Sequence, residues 1–193
     1  MTARVDPTPG GDLALPVNED DHFAGNPDAP VVLVEYGDYE CPYCGQAFPN
    51  VQMLRRQFGA SLAFVFRNFP LVEAHPHALV AAAGAEAAAF QGRFWPMHDT
   101  LFTHQHALEP EHLMLYARAL DLDLEAFVAD ANSERVARRI QRDIDSGVAS
   151  GVPGTPTFFV NGRRHTGSFA PESLGAAIEH ALVAARARRG LVS

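Results

Sequence analysis

The sequence predicts an α/β domain in the order βαβ, several helices, then ββα, and three observations predict it. Val31-Val32-Leu33-Val34-Glu35-Tyr36 is a continuous apolar, largely β-branched run after the turn-like Asn26-Pro27-Asp28-Ala29-Pro30, the pattern of a buried central strand. Asn161-Gly162 directly follows Thr157-Phe158-Phe159-Val160, a strong two-residue hairpin signal. Between them, from Pro76 to about Ser150, the chain is helical in pattern and rich in alanine.

Taken in order, residues 1 to about 12 are rich in Pro, Gly and Thr and are expected to form a loose tail, with Leu13 to Pro16 as a short edge strand. The tail as a whole is assigned to residues 1–24. After the first strand, Gly37 to Glu40 is a loop, and a helix starts at Cys41. Pro42 suits its first position, where a missing N–H costs nothing. The helix runs to about Phe58, with Gly59 as its stop, and Pro49 is expected to kink it. Leu62 to Asn68 is the second strand. Helices are expected at His77–Gln91, Trp95–Thr103 and Pro110–Leu120, and another after the capping residue Ser133. In that last one, Val136, Ile140, Ile144 and Val148 form one apolar stripe. Arg163 to Thr166 returns from the hairpin, and Pro171-Glu172 opens a final amphipathic helix to about Arg189. The predicted division is therefore 25–72 with 151–190 for the α/β domain, and 73–150 for the helical insertion.

The chain has 193 residues and a formal charge of −8. A chain this long buries a core without covalent staples, so two cysteines are not needed to hold it. The acidic balance disfavours nucleic acid as a partner, because phosphate contacts need a clustered basic face. Arg55-Arg56, Arg138-Arg139 and Arg186 to Arg189 are expected on the solvated surface. No stretch approaches the roughly 18 apolar residues of a membrane span. Met1 to Gly11 lacks a basic segment followed by an apolar one, which predicts a cytoplasmic location, or a periplasmic one if an export segment has been removed.

Cys41-Pro42-Tyr43-Cys44 is the sharpest signal in the sequence. Residues three apart on a helix share a face, and that spacing fits the roughly 4.4–6.8 Å Cα separation of a disulfide. Cys41 sits at the helix start, where free N–H groups and the positive dipole end stabilise a thiolate. Its pKa is expected to fall from about 8.5 into the range of roughly 3.5–7.5, so that it attacks and leaves readily. Cys44, one turn inside, is expected to be more buried and to resolve the mixed disulfide. A zinc half-site, an inert structural disulfide and two unconnected thiols compete with this reading, but no second cysteine pair or paired histidines complete a zinc site.

Strand, Cys-Pro-Tyr-Cys, helical insertion and Gly154-Thr155-Pro156-Thr157-Phe158-Phe159-Val160-Asn161-Gly162 together resemble the DsbA-like branch of the thioredoxin superfamily. Phe69-Pro70-Leu71, His75 with Ala78, and Gly92-Arg93-Phe94-Trp95 fit as well, and the match covers roughly Gly25 to Arg186. The resemblance implies a thioredoxin fold with a helical insertion and the activity of a protein-disulfide oxidoreductase. It implies Cys41 as nucleophile, Cys44 as resolving cysteine, Thr155 and Pro156 as a cis-proline pair that receives an extended substrate segment, and Glu35 as a buried acid beneath the cysteines. Read alone, Pro156 is a turn proline like Pro153, and Glu35 can equally face outward. The implied partners are thiol- or disulfide-containing proteins and a redox partner protein or glutathione, with no metal and no cofactor beyond the Cys41–Cys44 pair.

One departure concerns Tyr43. Strongly oxidising members typically carry Pro-His between the cysteines, and a histidine there favours the thiolate. Tyr43 supplies no charge, which predicts a less oxidising poise. For such a couple about 30 mV corresponds to roughly 1.4 kcal/mol.

His75, His77, His98, His104, His106 and His112 are scattered over several helices and lack an evident carboxylate partner, so no metal site is assigned. His75 is expected to cap or pack at the insertion. Phe90, Phe94, Trp95, Met97 and Phe102 are expected in the core of the insertion or along a substrate groove, and Tyr36 and Tyr39 along the same groove. Two other functions fit a related fold: a glutathione-dependent transferase or isomerase, and a non-enzymatic chaperone or redox-sensing adaptor.

Overall fold

The computed structural model describes residues 11–190. The first ten residues of the expected tail lie outside them. A five-stranded sheet has the order β1-β3-β2-β4-β5. Its strands are β1 (His22–Ala24), β2 (Val31–Gly37), β3 (Leu62–Asn68), β4 (Thr157–Val160) and β5 (Arg163–Arg164). β2 and β3 are parallel and joined through α1 (Pro42–Phe58); β1 and β4 are antiparallel to their neighbours. Between β3 and β4 lie α2 (Ala78–Ala89), α3 (Phe94–Thr103), α4 (Pro110–Ala119), α5 (Leu124–Ala131) and α6 (Glu134–Ala149); α7 (Pro171–Gly190) closes the chain. This is the βαβ…ββα core with a helical insertion, as the sequence predicts.

The period of two along the strands sorts side chains between two cores. Val31, Leu33, Phe64, Phe66, Phe158 and Val160 face one core together with Cys41, Cys44 and the inner faces of α1 and α7. Val34, Tyr36, Val65 and Phe159 face the other, together with Leu13. Glu35 alternates with Val34 and Tyr36, so it points to the side of the cysteines. At the hairpin, Asn161 and Gly162 both have positive φ, 48° and 81°, the left-handed pair that a tight turn of matching twist requires.

Several expectations are corrected here. The segment from residue 11 to 24 is not a loose tail. Leu13 N–H donates to Gly162 C=O at 2.7 Å, and Asp12 bridges to Arg163 as an isolated pair rather than as part of an edge strand 13–16. The strand lies later, at His22–Ala24, paired with Phe64–Phe66. Arg67, fully buried, ties this segment to the sheet: it donates to both carboxylate oxygens of Asp21 (3.0 and 2.9 Å), to Leu15 C=O (2.9 Å) and to Tyr36 Oη (2.9 Å). A buried charge persists only when paired and hydrogen-bonded in this way.

The return strand predicted over 163–166 shortens to two residues, and α5, capped by Asp123 on Ala126 N–H, was not foreseen. The α6 stripe also changes. Val136 and Ile140 are buried, whereas Val148 is 65% exposed. Steps of four overshoot the 3.6-residue turn by about 40° each, so the stripe rotates out of the core. Asp143, Ser146 and Gly147 take the buried positions instead. Arg55 and Arg139 are half-buried rather than solvated; Arg55 lies over the Trp95 ring at 5.5 Å and Arg139 pairs with Asp143.

Candidate active site

The site forms at the C-terminal end of β2, where a loop of four residues delivers the chain to α1. Cys41 is the N-cap of α1, with extended backbone (φ −69°, ψ 122°), and Pro42 opens the helix. Both cysteines are free thiols; Cys41 is 3% exposed and Cys44 is fully buried. The Thr155–Pro156 peptide is cis, and Thr155 C=O lies 3.3 Å from Cys41 Sγ, where it accepts from the thiol when Cys41 is protonated. The Thr155 hydroxyl is buried without a hydrogen-bond partner in the dithiol and faces Cys41. A shallow depression beside Pro156 is lined by Pro153, His165 and Phe169.

The two sulfurs titrate in opposite directions. Donation from the Cys44 thiol, with help from Thr155 and from the N–H groups of Cys44 and Tyr43 at the helix start, outweighs burial and brings the Cys41 thiol down to about 5. Burial pushes the Cys44 thiol well up, reinforced by its bond to Cys41 and by the charge of Glu35. Cys41 is thus a thiolate at neutral pH beside a protonated Cys44.

Glu35 lies in the middle of the sheet, between Phe66 on β3 and Phe158 on β4. It is 2% exposed, and its Oε1 has no hydrogen-bond partner. Burial first, and the Cys41 charge second, raise its pKa to about 8. The structure therefore brings all five predicted site residues, Glu35, Cys41, Cys44, Thr155 and Pro156, to one end of the central strands.

Other residues build this end of the sheet and were missed in the sequence. Asp38, in the loop, accepts from Glu40 N–H (2.8 Å), Leu71 N–H (2.9 Å) and His75 Nδ1 (2.7 Å), while its own N–H donates to Cys44 Sγ at 3.4 Å. Glu40 holds His77 through its N–H (2.6 Å) and Nδ1 (2.9 Å). Gln105, between α3 and α4, donates to Tyr39 C=O (2.7 Å) and Cys41 C=O (3.0 Å). A Cβ on Gly45 would meet Gln105 Oε1 at 1.9 Å, so only glycine admits this approach. The one local signal was a pair of acids, Asp38 and Glu40, just before the first cysteine. Their partners lie 37 residues away, beyond any periodicity.

His75, His77 and His112 do have carboxylate partners, Asp38, Glu40 and Glu109. His75 packs where the insertion begins, tying it to Asp38 of the loop, and does not cap α2, whose N-cap is His77. His98 is buried, accepts or donates at 3.1 Å with Tyr39 Oη, and is held neutral by burial. Tyr36 and Tyr39 are fully buried and line no groove; Met97, Phe94 and Phe102 are core, with Trp95 and Phe90 half-buried. Tyr43, between the cysteines, and Val72 and Leu79, next to the segments that Asp38 and Glu40 hold at Leu71 and His77, are exposed apolar side chains.

The family model described as Thioredoxin matches residues 17–180. The Na(+)/H(+) antiporter NhaA 1 of Salinispora arenicola is 52% identical over 178 residues, which are 92% of this chain and 27% of that protein. The chain thus spans about a quarter of the length of the curated relatives it matches. No helix among the described residues is long and apolar enough to cross a membrane. Among solved structures, a thioredoxin-like oxidoreductase from Silicibacter pomeroyi is 28% identical with a TM-score of 0.77, covering 85% of this chain and 93% of that one. The α-DsbA1 of Wolbachia pipientis is 21% identical with a TM-score of 0.77, covering 91% and 97%, a likeness of fold. The chain belongs to the thioredoxin family.

Proposed function

We propose that this chain exchanges disulfides with protein substrates through Cys41 and Cys44. The observation that carries this reading is the asymmetry of the pair: a thiol at the helix start brought down to about 5 and a fully buried thiol pushed up beside it. In the reducing direction, Cys41 thiolate attacks a substrate disulfide. An S–S bond forms between Cys41 and the substrate, and the substrate's other sulfur leaves as a thiolate. Forming that bond removes the Cys41 charge that helps keep Glu35 protonated. Ionised Glu35 then takes the Cys44 proton, directly or through a water, and Cys44 attacks Cys41 Sγ and expels the second substrate thiolate. Two electrons pass to the substrate, and the Cys41–Cys44 disulfide remains. The oxidising direction is the reverse, with protonated Glu35 returning the proton to Cys44.

A base works best with a pKa near the working pH, which supports Glu35 in this role. Thr155 C=O beside Cys41 supports docking of an extended segment by strand addition. The exposed apolar Tyr43, Val72 and Leu79 suit a polypeptide substrate with its apolar side chains uncovered. Ion transport, named for the longer relatives, we assign to the remainder of their length, because a carrier needs elements that cross the bilayer.

The test is insulin disulfide reduction with a thiol donor, and oxidative refolding of a reduced protein. Wild type accelerates both, and Cys41→Ser loses the acceleration, since a serine hydroxyl is not ionised at neutral pH. Equal activity from the two proteins sinks the proposal.

A further inference from the structure

The loop that carries the nucleophile also carries a buried carboxylate. The Asp38 side chain is fully covered, its C=O accepts Cys41 N–H at 3.2 Å, and its N–H reaches Cys44 Sγ. A bare carboxylate at that point opposes negative charge on Cys41, and the interior screens the repulsion poorly. Tyr43, 60% exposed between the cysteines, offers no countercharge. The basic side chain that meets this carboxylate comes from the insertion side: His75 Nδ1, at 2.7 Å, 18% exposed.

We propose that His75 is a positioning residue of the redox pair: as an imidazolium on Asp38 it offsets the buried carboxylate and takes the place of the charge that Tyr43 lacks. This rests on Cys41 being the attacking thiolate. The charged groups facing His75 are Asp38 and Glu40 from the loop and Cys41 from the start of α1. His77, on its own segment, is engaged by Glu40. Burial acts to lower the His75 pKa, but the bond and charge of Asp38, then Cys41 and Glu40, hold it above the usual histidine value.

Oxidation removes the Cys41 charge. His75 therefore binds its proton less tightly in the disulfide than in the dithiol. Reciprocity makes that difference equal to the shift His75 protonation imposes on the dithiol–disulfide equilibrium. Two variants separate charge from hydrogen bonding: His75→Asn keeps a donor for Asp38 without the charge, and His75→Lys keeps the charge.

The first measurement is the His75 titration by NMR in wild type, dithiol against disulfide, with a higher pKa expected in the dithiol. The second is Cys41 thiolate absorbance against pH and the equilibrium with glutathione in the variants. His75→Asn is expected to raise the Cys41 pKa by about one unit and to lower the oxidising equilibrium constant roughly tenfold, about 30 mV, while His75→Lys stays near wild type. Equal His75 pKa values in the two redox states overturn the proposal, as does a wild-type Cys41 titration in His75→Asn. The wild-type titration decides alone if the variants do not fold. A wild-type chain that fails on insulin yet shows the His75 shift refutes the substrate reading and supports this one.

Discussion

Glu35→Leu is expected to make the reduced chain more stable and less active at once. The folded chain keeps a proton on Glu35 up to about pH 8, whereas the unfolded chain releases it near 4.5. Between those values the folded state binds more protons, so wild-type stability falls as pH rises through the window. At pH 7 the loss is about 3 kcal/mol. Glu35→Leu removes it, along with an Oε1 that has no partner. Chemical denaturation of the dithiol form at pH 5, 7 and 8.5 checks this, and parallel curves for both proteins contradict it. The activity loss falls on resolution, because Cys44 then lacks a proton acceptor. Loss of a positioned base costs on the order of 10²-fold or more. A buried ionisable group whose pKa is moved this far is a candidate for chemistry, and the paired stability and activity measurements decide it.

Cys44→Ala is expected to stop turnover at the mixed disulfide. Attack by Cys41 is intact, so substrate becomes covalently attached to it. Release then depends on external thiols at millimolar concentration instead of a neighbouring sulfur. Well-placed intramolecular nucleophiles reach effective concentrations of about 10⁵ M or more, so multiple turnover falls by at least ~10³-fold. Non-reducing electrophoresis followed by peptide mapping shows a thiol-cleavable adduct on Cys41. Free turnover by Cys44→Ala, with no adduct, assigns resolution to another group.

Much of this was legible in the sequence, for reasons particular to each element. β2 and β4 were visible because strands buried on both sides are nearly continuous in Val, Leu and Phe. The hairpin was visible because Asn161-Gly162 meets a backbone requirement. β1 was not, because His22-Phe23-Ala24 carries no alternation; the Arg67–Asp21 pair and the β3 edge hold it in place. The α6 stripe misled because spacing by four looks regular over two turns and drifts over four. At the site, Cys41 and Cys44 were local in sequence. Glu35, Thr155 and Pro156 came from the resemblance. Asp38–His75, Glu40–His77 and Gln105 on the Cys41 carbonyl join distant segments by hydrogen bonds, and no local pattern encodes such pairs.

The central claim is that Cys41 and Cys44 form one two-electron couple. The direct measurement is equilibration of the chain in glutathione redox buffers, acid quenching, alkylation and mass spectrometry. The account predicts a single transition from a doubly alkylated dithiol to an unalkylated species lighter by two hydrogens, with Cys41 linked to Cys44 in the peptide map. A chain that stays doubly alkylated at every ratio, or that ends glutathionylated with no internal disulfide, contradicts it.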